Sequence, residues 1–516
     1  MLNNTLPIFT SPVTTLTFPL LKFMSTPIDL KTLLRGISVQ KISGPKINPL
    51  INHLAIHSQC VQPQGLFFAI EGMHCDGNDF IEQAIAKGAE VIVTEKMFPR
   101  LHNIIQVQVK NIREAVSQIS NKFYNTPDKK LRLVGITGTS GKTTTSWLLR
   151  HIYQTSLKQT TGLIGSLHYD LGRRILPASR TTPDALSLNS YLNEMVQSHE
   201  RNAILEVSSH AIEQKRTASL TFETAAFTNL SLEHLDYHKT MESYYQTKKQ
   251  LFLQSGLKNA VINVDDPYGQ RLLSEISPSI KLITIGIDTP AMLQATQVQT
   301  DLTGTSFVLK APTGEWLVKT ALLGQFNVYN CLTALGICYA QGYDLNTVVP
   351  ALSTFSQVPG RLEEVLNSLG IKIFVDFAHK PEALKNVLKT LRGLTSKNLN
   401  VVFGCGGNRD RTKRPVMAHV AETYANQIWV TSDNPRTESQ EQIFDDIRSG
   451  FSNNNHVNFI VDRAEAICTA LRHCQPGDCL LIAGKGHEQY QEIDGHFLPF
   501  DDKKVVEVFD NIQKNK

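Results

Sequence analysis

The sequence predicts an α/β protein of three domains: a small N-terminal α/β domain, a central doubly wound parallel sheet and a C-terminal open sheet. The first observation is length, because 516 residues exceed the roughly 250–300 at which a single hydrophobic core stops growing. The second is an alternation of short apolar runs with helical stretches from about residue 131 onward, which is typical of a largely parallel sheet covered by helices. The third is the pair Pro359-Gly360, which marks the end of a helical stretch.

The N-terminal domain is predicted to span residues 1–110. Residues 65–70 and 89–94 have strand character, and residues 80–87 between them read as a helix. The first 23 residues are mildly apolar, contain three prolines and offer no small-residue cleavage site. We interpret them as a disordered extension or an early start before Met24, with a signal peptide as the less favoured alternative.

The central and C-terminal domains are predicted to span residues 111–358 and 359–516. In the central domain we expect a strand over 131–136, a helix over 143–153, continued βα alternation to about residue 350 and a β-rich insert near 305–323. In the C-terminal domain, strands are expected at 373–376, 400–403, 427–431, 459–461 and 479–482. Helical stretches lie between these strands, which predicts a second, Rossmann-like open sheet.

Composition excludes several classes of protein. The 51 basic and 47 acidic residues leave a net charge of +4, which indicates neither a nucleic-acid nor a membrane-surface partner. The eight cysteines form no C-x-x-C pair, so neither a zinc site nor a disulfide framework is indicated and a reducing compartment fits best. No apolar run approaches the roughly 18 residues of a membrane span. We therefore expect a cytoplasmic monomer without membrane insertion.

A glycine-rich loop follows the predicted strand and opens the predicted helix; its residues are Gly138, Thr139, Ser140, Gly141, Lys142 and Thr143. Successive backbone N–H groups and the positive end of a helix bind phosphate oxygens. Lys142 would reach the β- and γ-phosphates, and the Thr143 hydroxyl would ligate Mg²⁺. The first glycine of the general P-loop pattern falls on Ile136, so a glycine-rich turn without nucleotide stays an alternative. The strand–loop–helix context favours ATP binding.

This loop resembles that of the Mur ligases, the enzymes that build the peptide stem of peptidoglycan precursors. An ordered series of further motifs resembles the same family from about residue 54 onward: EVSSH at 206–210, FTNL at 227–230, HLDYH at 234–238, NVDD at 263–266, GQFNVYN at 324–330, GRLE at 360–363 and DFAH at 376–379. Such a series over three domains is far more specific than any one motif.

Three segments resemble the branch of the family that adds the third amino acid: GCGGNRD at 404–410, DNPR at 433–436 and AGKGHE at 483–488. The resemblance implies an ATP-dependent carboxylate–amine ligase. It would phosphorylate the D-glutamyl γ-carboxylate of UDP-N-acetylmuramoyl-L-alanyl-D-glutamate (UDP-MurNAc-L-Ala-D-Glu), and meso-2,6-diaminopimelate would then attack the acyl phosphate. A ligase that adds L-lysine and a folylpolyglutamate-type ligase are the nearest alternatives. A P-loop switch protein that hydrolyses ATP is a more distant one.

The resemblance also implies a metal and phosphate site. Glu206 follows the apolar run 203–205, at a strand end where open sheets present ligands, and with Thr143 and His210 it would hold Mg²⁺. Lys248 occupies the position that carries a carbamate in relatives, which would ligate a second Mg²⁺ and requires a pKa well below the reference of about 10.4. A surface lysine beside Lys249 is the alternative. Lys142 is expected to be catalytic.

His234 resembles a catalytic positioning residue, with structural hydrogen bonding an equal alternative. For the nucleotide, Asn327 resembles the adenine-side contact, and Arg361 and Asp376 resemble groups that reach phosphate and ribose from the next domain. ATP would then lie between the second and third domains, so that catalysis depends on domain closure.

The acceptor site is implied by two groups of residues. In the first domain, Ser58 is a candidate uridine or diphosphate contact, although His57 and Gln59 replace the charged flanks usual in relatives. The other expected contacts with UDP-MurNAc-dipeptide are Met73, His74 and Cys75 in the first domain, and Thr181, Thr182, Ser208, Gln214 and Arg216 in the central one. The cation of Arg216 suits an anionic peptide carboxylate, and the role of Arg180 stays open.

Diaminopimelate differs from lysine by a carboxylate beside its distal amine. A site that selects it needs a cationic fork for that carboxylate, which Arg409 and Arg436 can provide. The remaining residues of the expected amine site are Asp433, Asn434, Pro435, Gly484 and Glu488. In a lysine-adding enzyme, an arginine at 436 would be an unpaired charge without a purpose.

Overall fold

The computed structural model describes residues 26–72 and 75–515. It contains three sheets of five or more strands, each with its own hydrophobic core, and so confirms the predicted α/β class. The expectations for residues 1–23, Met73 and His74 lie outside the described residues. Within residues 26–72 and 75–515, no helix combines the length and the apolar character needed to cross a membrane.

The first unit is a five-stranded sheet with helices against it. Its elements are β1 Ile28–Asp29, α1 Leu30–Leu34, β2 Val39–Ser43, β3 Leu50–Ile51, β4 His53–Ala55, β5 Gly65–Phe68, α2 Ile81–Ala86, β6 Ala89–Thr94, β7 Ile105–Val109 and α3 Ile112–Phe123. The strand order is β2-β7-β6-β5-β4, with β2 antiparallel and the others parallel. The predicted strands at 65–70 and 89–94 and the helix between them are present.

Helix α3 belongs to this first core. Its apolar face, which includes Ile112, Val116 and Ile119, packs with Leu66 and Val91 of the sheet. Asn111 caps the helix by accepting a hydrogen bond from the Glu114 backbone amide at 3.0 Å. We therefore propose a domain boundary after α3 in place of the predicted boundary at residue 110. The apolar face of a helix does not indicate which of two neighbouring sheets it covers.

The second unit has an eleven-stranded sheet. Its elements are β8 Arg132–Thr137, α4 Lys142–Thr155, β9 Thr161–Ile164, β10 His168–Asp170, β11 Ile175–Pro177, α5 Ala185–Gln197, β12 Asn202–Glu206, α6 Ser209–Glu213, β13 Thr224–Phe227, α7 Leu235–His238, α8 Met241–Lys249, β14 Asn259–Asn263, α9 Pro267–Leu273, β15 Lys281–Gly286, β16 Leu293–Asp301, β17 Gly304–Ala311, β18 Gly314–Thr320, α10 Gln325–Ala340, α11 Leu345–Val348 and α12 Ala351–Thr354. The strand order is β11-β10-β9-β12-β8-β13-β14-β15-β16-β17-β18.

The strands β9, β12, β8, β13, β14 and β15 pair in parallel in this order. Two hydrophobic clusters cover the two faces of this parallel part. Because successive side chains of a strand point to opposite faces, Val134 packs with helices α4 and α10, whereas Leu133 packs with α5 and α8. Helices on both faces explain why these strands read as continuous apolar runs. The predicted β-rich insert is the antiparallel ribbon β16–β18.

The third unit is a six-stranded sheet with strand order β19-β20-β24-β21-β22-β23. Its elements are β19 Glu363–Val365, β20 Lys372–Asp376, α13 Pro381–Leu394, β21 Leu399–Phe403, α14 Lys413–Tyr424, β22 Gln427–Val430, α15 Gln440–Arg448, β23 Val457–Phe459, α16 Arg463–His473, β24 Cys479–Ala483, β25 Tyr490–Ile493, β26 His496–Pro499 and α17 Asp502–Lys514. Within the six-stranded sheet, all strand pairs are parallel except β19–β20, as expected for a Rossmann-like sheet. Strands β25 and β26 form a separate antiparallel pair.

Two details of this unit differ from the prediction. The strand expected at 459–461 is β23, which covers Val457–Phe459. It ends at Phe459 because its partner β22 ends at the paired residue Val430. Val461 is instead 59% exposed. The hairpin β25–β26 was not predicted, since its two strands are four residues each and lack the regular apolar alternation that marks a half-buried strand.

Candidate functional site

A cleft of about 490 Å³ lies between the second and third units. The second unit contributes the glycine-rich loop together with Glu206, His210 and His234, and the third contributes Arg361, Asp376 and the segment that follows β20. The cleft lies beyond the carboxyl ends of β8, β12 and β20, which is the usual ligand position in open α/β sheets.

The glycine-rich loop joins β8 to α4 as predicted. Gly138 and Gly141 have φ values of 150° and 87°, which suit glycine, and a Cβ at Gly138 would overlap the Thr228 hydroxyl. The Lys142 ammonium donates to the carbonyl oxygens of Gly138 and Thr139 at 2.8 and 2.9 Å. Burial lowers the pKa of Lys142 to about 8. A phosphate oxygen in the loop would replace these carbonyl partners and stabilise the cation.

The predicted magnesium ligands Thr143 and Glu206 are in contact, with the Thr143 hydroxyl donating to Glu206 Oε2 at 2.9 Å. Glu206 also accepts from the backbone amide and hydroxyl of Ser166, both at 3.0 Å, and His210 lines the same cleft. In the part of the chain that the structure describes, no three His, Cys, Asp or Glu side chains form a metal-binding group. One carboxylate and one hydroxyl still fit Mg²⁺, which takes few protein ligands and completes its shell with phosphates and water.

Lys248 does not line the cleft but lies directly behind the glycine-rich loop. Its side chain is 1% exposed, and its ammonium donates to Gly138 O at 2.9 Å and lies 4.9 Å from the Tyr244 ring centroid. Burial, assisted by Lys142, lowers the pKa of Lys248 well below its usual value. The surface-lysine alternative is therefore wrong, and the neutral amine that a carbamate needs is favoured.

His234 belongs to a group of three histidines centred on His210. Its Nε2 is 2.9 Å from Glu233 Oε1, and its ring centroid is 5.0 Å from that of His210. Burial, followed by the charges of Lys142 and Lys248, lowers the pKa of His234 to about 4. The backbone of His234 is left-handed, with φ at 57°, which is a strained conformation that often accompanies functional sites. The contact with Glu233 holds the ring in place.

The three predicted nucleotide contacts all line the cleft. Asp376 accepts hydrogen bonds from the backbone amides of Leu362 and Ala378 at 2.5 and 2.7 Å, while burial raises its pKa. The Arg361 guanidinium lies over the Phe377 ring, 4.6 Å from its centroid, and burial lowers its pKa. Asn327 is buried at the first turn of α10, opposite them.

Four of the predicted dipeptide contacts, Thr181, Thr182, Ser208 and Arg216, line the cleft, as does Arg180. The Arg216 guanidinium donates to Thr182 O at 2.6 Å and to Gln214 Oε1 at 2.7 Å. Gln214 therefore orients Arg216 from outside the lining. Burial lowers the pKa of Arg216, and Arg180 adds to this effect, so an anionic ligand between the two guanidinium groups would be stabilised.

The structure does not bring the predicted uridine contacts of the first unit into this cleft. The Ser58 hydroxyl is buried and donates to Gln83 Oε1 at 2.5 Å, so it is already satisfied within its own unit. Cys75 is exposed and does not line the cleft. The sequence could not reveal the partner of Ser58, because Gln83 lies 25 residues further along the chain.

The predicted amine-site residues gather at the carboxyl ends of β21, β22 and β24. A Cβ placed on Gly406 would lie 3.1 Å from Arg436 Nη1 and 3.9 Å from Arg409 Cγ, so the Arg436 guanidinium and the stem of the Arg409 side chain lie beside the same glycine. Asn434 Nδ2 donates to Glu488 Oε2 at 2.9 Å. A Cβ on Gly484 would lie 2.8 Å from the Asp433 carboxylate. The predicted set, with Pro435 between Asn434 and Arg436, is one cluster.

Charge within this cluster is balanced. Burial opposes ionisation of Asp433, but Lys485, Arg463 and the Asn434 amide outweigh it and lower the pKa of Asp433. The cluster adjoins the ATP-side cleft through His487, whose ring centroid is 5.2 Å from that of Phe377. An amine bound at the cluster could therefore extend toward the glycine-rich loop.

Four residues of the site were missed by the sequence reasoning: Glu233, Lys380, Lys485 and Glu492. Lys380 reaches across the cleft from the third unit to contact Glu233, and burial lowers its pKa to about 7. The fully buried Lys485 donates to Asn434 and Glu488 at 3.1 and 3.0 Å. Lys380 directly follows the DFAH motif and Lys485 lies inside the AGKGHE motif, and these positions were the available signal.

Comparisons with known proteins find the same family in all three units of the chain. Family models match residues 50–124 (Mur ligase family, catalytic domain), 136–338 (Mur ligase middle domain) and 360–486 (Mur ligase, glutamate ligase domain). A UDP-N-acetylmuramoyl-L-alanyl-D-glutamate–2,6-diaminopimelate ligase of Geobacillus kaustophilus is 43% identical over 468 residues, which is 89% of this chain and 94% of the relative. The enzyme of the same name from Aquifex aeolicus is 40% identical over 456 residues, which is 88% of this chain and 93% of the relative.

Solved structures are similar as well. A structure of a UDP-N-acetylmuramoyl-L-alanyl-D-glutamate–2,6-diaminopimelate ligase matches with a TM-score of 0.67 and 35% identity, covering 90% of this chain and 96% of that one. The MurF ligase of Thermotoga maritima in complex with ADP matches with a TM-score of 0.61 and 19% identity, covering 90% and 98%. The second likeness concerns the fold alone.

Proposed function

The chain belongs to the Mur ligase family, and from that premise we propose that it uses ATP to join meso-2,6-diaminopimelate to the D-glutamyl γ-carboxylate of UDP-MurNAc-L-Ala-D-Glu. The product is a UDP-linked tripeptide precursor of peptidoglycan. The observation that supports this most is the cleft itself. A phosphate loop faces cations of the third unit there, and a pair of arginines lies beyond the Phe377–His487 contact.

The first step transfers the γ-phosphoryl group of ATP to the acceptor carboxylate, and the chain must bring two anions together. Lys142 from the second unit and Arg361 from the third supply positive charge from opposite walls of the cleft. Asn327 and Asp376 would hold the adenine and ribose. Because ATP contacts both units, closure of the cleft completes the site.

Thr143 and Glu206 would hold Mg²⁺, with His210 beside them. When bound, the ion neutralises phosphate charge and orients the reacting groups. We propose that Lys248 carries a carbamate, because its amine is buried and its pKa is far below the usual value. A carbamate is anionic, so it would turn an unfavourable buried cation beside Lys142 into a favourable partner. His234 would hold a neutral ring against this group.

The acceptor peptide would lie against Thr181, Thr182, Ser208 and Arg216. Arg216 is the group that can neutralise a peptide carboxylate, since its guanidinium is already aimed by Thr182 O and Gln214. Binding of the acceptor peptide to Arg216 would position the γ-carboxylate for in-line attack on the phosphate. Arg216 itself would not take part in the bond-forming step.

The incoming diaminopimelate would place its distal carboxylate between Arg409 and Arg436, and its distal ammonium near Asp433 and Glu488. Such a site offers cations to the distal carboxylate and anions to the distal ammonium. It would favour diaminopimelate over lysine, because lysine lacks the distal carboxylate. The proximal amine then attacks the acyl phosphate, and the tetrahedral intermediate collapses to amide and inorganic phosphate.

The reaction is proposed to occur in the cytoplasm. ATP and a UDP-linked acceptor are its substrates, and all eight cysteines are free thiols in the structure, which fits a reducing compartment.

The experiment that tests this function measures ADP release with the acceptor and three competing amines: meso-diaminopimelate, L-lysine and D-alanyl-D-alanine. We expect release only when the acceptor is present, with diaminopimelate the strongest stimulant. Stimulation by lysine above diaminopimelate would identify a lysine-adding ligase. Turnover that needs neither acceptor nor amine would identify an ATP-hydrolysing switch and refute the proposal.

A further inference from the structure

The backbone of Arg436 is held by the hairpin β25–β26. Its amide donates to Glu492 O at 2.9 Å, and its carbonyl accepts from the Asp494 amide at 2.8 Å. This pairing forms a parallel bridge between Arg436 and Ile493. Arg436 has a φ of 54°, a left-handed conformation that a long side chain adopts only when its surroundings impose it. The hairpin therefore determines the direction in which the side chain leaves the backbone.

The Arg436 side chain is held at two further points. Its Nε lies 2.9 Å from Glu492 Oε2, and its Nη1 donates to Gly407 O at 2.8 Å. A guanidinium has five N–H donors in a rigid plane, so these two contacts fix the plane and leave the remaining edge for a ligand. The side chains of Arg436 and Glu492 are only 22% and 24% exposed, which limits the freedom of both.

Glu492 is also joined to the rest of the amine site. Its backbone amide donates to Asn434 Oδ1 at 3.0 Å, and the same oxygen accepts from the buried Lys485 ammonium. Displacement of β25 would thus move Arg436 and Asn434 together.

Glu492 also holds Arg436 on the side of the cluster where Arg409 leaves the backbone. A Cβ on Gly406 would lie 3.1 Å from Arg436 Nη1 and 3.9 Å from Arg409 Cγ. The acceptor at Nε therefore keeps the Arg436 guanidinium beside the stem of Arg409.

We propose that Glu492 is a positioning residue for amine selection: it fixes the Arg436 guanidinium so that its open edge, together with Arg409, receives the distal carboxylate of the amino-acid substrate. The inference rests on the proposed function, because diaminopimelate is the substrate that carries this carboxylate. Glu492 acts through Arg436 and does not touch the reacting atoms.

The test compares Glu492→Leu with Glu492→Gln, using Glu465→Leu as a matched control. Glu465 pairs with Arg472 at 3.0 Å on an exposed face of α16. For each variant, kcat and KM are measured for diaminopimelate, lysine and ATP. Glu492→Leu should raise KM for diaminopimelate about tenfold, as expected for loss of one charge-assisted hydrogen bond. Its kcat, its KM for ATP and its kcat/KM for lysine should stay at the parent values.

Glu492→Gln keeps an acceptor for Nε, so it should recover most of the affinity for diaminopimelate, and Glu465→Leu should behave as the parent. An unchanged KM in Glu492→Leu would overturn the inference. So would an equal loss with both amines and ATP, which would show a purely structural role. If the unmodified enzyme fails to use diaminopimelate at all, the proposed function itself is overturned.

Discussion

The most demanding stability prediction concerns the buried pair Arg463–Asp502. Both side chains are 0% exposed, and the carboxylate accepts two hydrogen bonds from the guanidinium, at 2.7 and 2.8 Å. The guanidinium also donates to Ala483 O at 3.0 Å and Ser432 O at 3.3 Å. It thereby ties α17 to the ends of β24 and β22, directly beneath Asp433 and Gly484.

Asp502→Asn keeps the size of the side chain but removes the carboxylate charge with which the buried Arg463 guanidinium is paired. Removal of one partner from a buried, hydrogen-bonded ion pair costs about 3–5 kcal/mol. With a urea slope of about 2 kcal/mol per molar, the unfolding midpoint of the third unit should fall by about 2 M.

Trp429 provides the assay, because it is one of only three tryptophans and packs at 1% exposure against α16 and α17. Its fluorescence during urea titration, in a background with Trp147→Phe and Trp316→Phe, reports on the third unit alone. Asp445→Asn, which removes an exposed partner of Arg448, should leave the midpoint unchanged. The double variant Arg463→Met, Asp502→Leu should lie closer to the parent than Asp502→Asn. An Asp502→Asn midpoint equal to that of the parent would refute the reasoning.

Four predictions concern the site. Arg436→Ala should raise KM for diaminopimelate by about tenfold or more, with kcat little changed, as loss of a bidentate charge contact implies; a greater loss in KM for ATP in steady-state assays would contradict this. Lys248→Met should reduce kcat by about 100-fold or more if the carbamate orients a metal. Intact-protein mass spectra of the parent should show label from bicarbonate bound at Lys248. Full activity of Lys248→Met would exclude the carbamate. Chelation by EDTA should abolish ADP release, and Glu206→Gln should need more Mg²⁺ than the parent to recover it; an unshifted Mg²⁺ titration would remove Glu206 from the metal site. Gly484→Ala should weaken diaminopimelate binding, measured by calorimetry, because φ at 484 is 114° and the new methyl would press on the Asp433 carboxylate; unchanged affinity would place the ligand elsewhere.

Local sequence patterns predicted most of the sheet-forming elements. Strand β8, the loop after it and helix α4 could be predicted because an apolar run, closely spaced glycines and a helix start are all local signals. The motif series then assigned Glu206 to the metal site and Arg361 and Asp376 to the nucleotide, and the structure brings all three residues into one cleft.

Local patterns could not predict which distant segments of the chain contact one another. Helix α3 has one apolar face, which cannot reveal which of two sheets it will cover, so the predicted boundary at residue 110 separated it from its core. The hairpin β25–β26 has no regular alternation of apolar and polar residues, and its importance comes from Arg436, which lies more than 50 residues earlier. The Lys380–Glu233 contact likewise depends on how two units meet, which no local pattern encodes.

The central claim is that one cleft couples ATP cleavage to the joining of an acceptor carboxylate with diaminopimelate. Mass spectrometry of the product tests this directly after the enzyme is incubated with ATP, UDP-MurNAc-L-Ala-D-Glu and an equimolar mixture of diaminopimelate and lysine. The account predicts an acceptor that has gained one diaminopimelate residue through an amide, with one ADP formed for each amide. An acceptor that gains lysine instead, or ADP formed without any gain in acceptor mass, would contradict it.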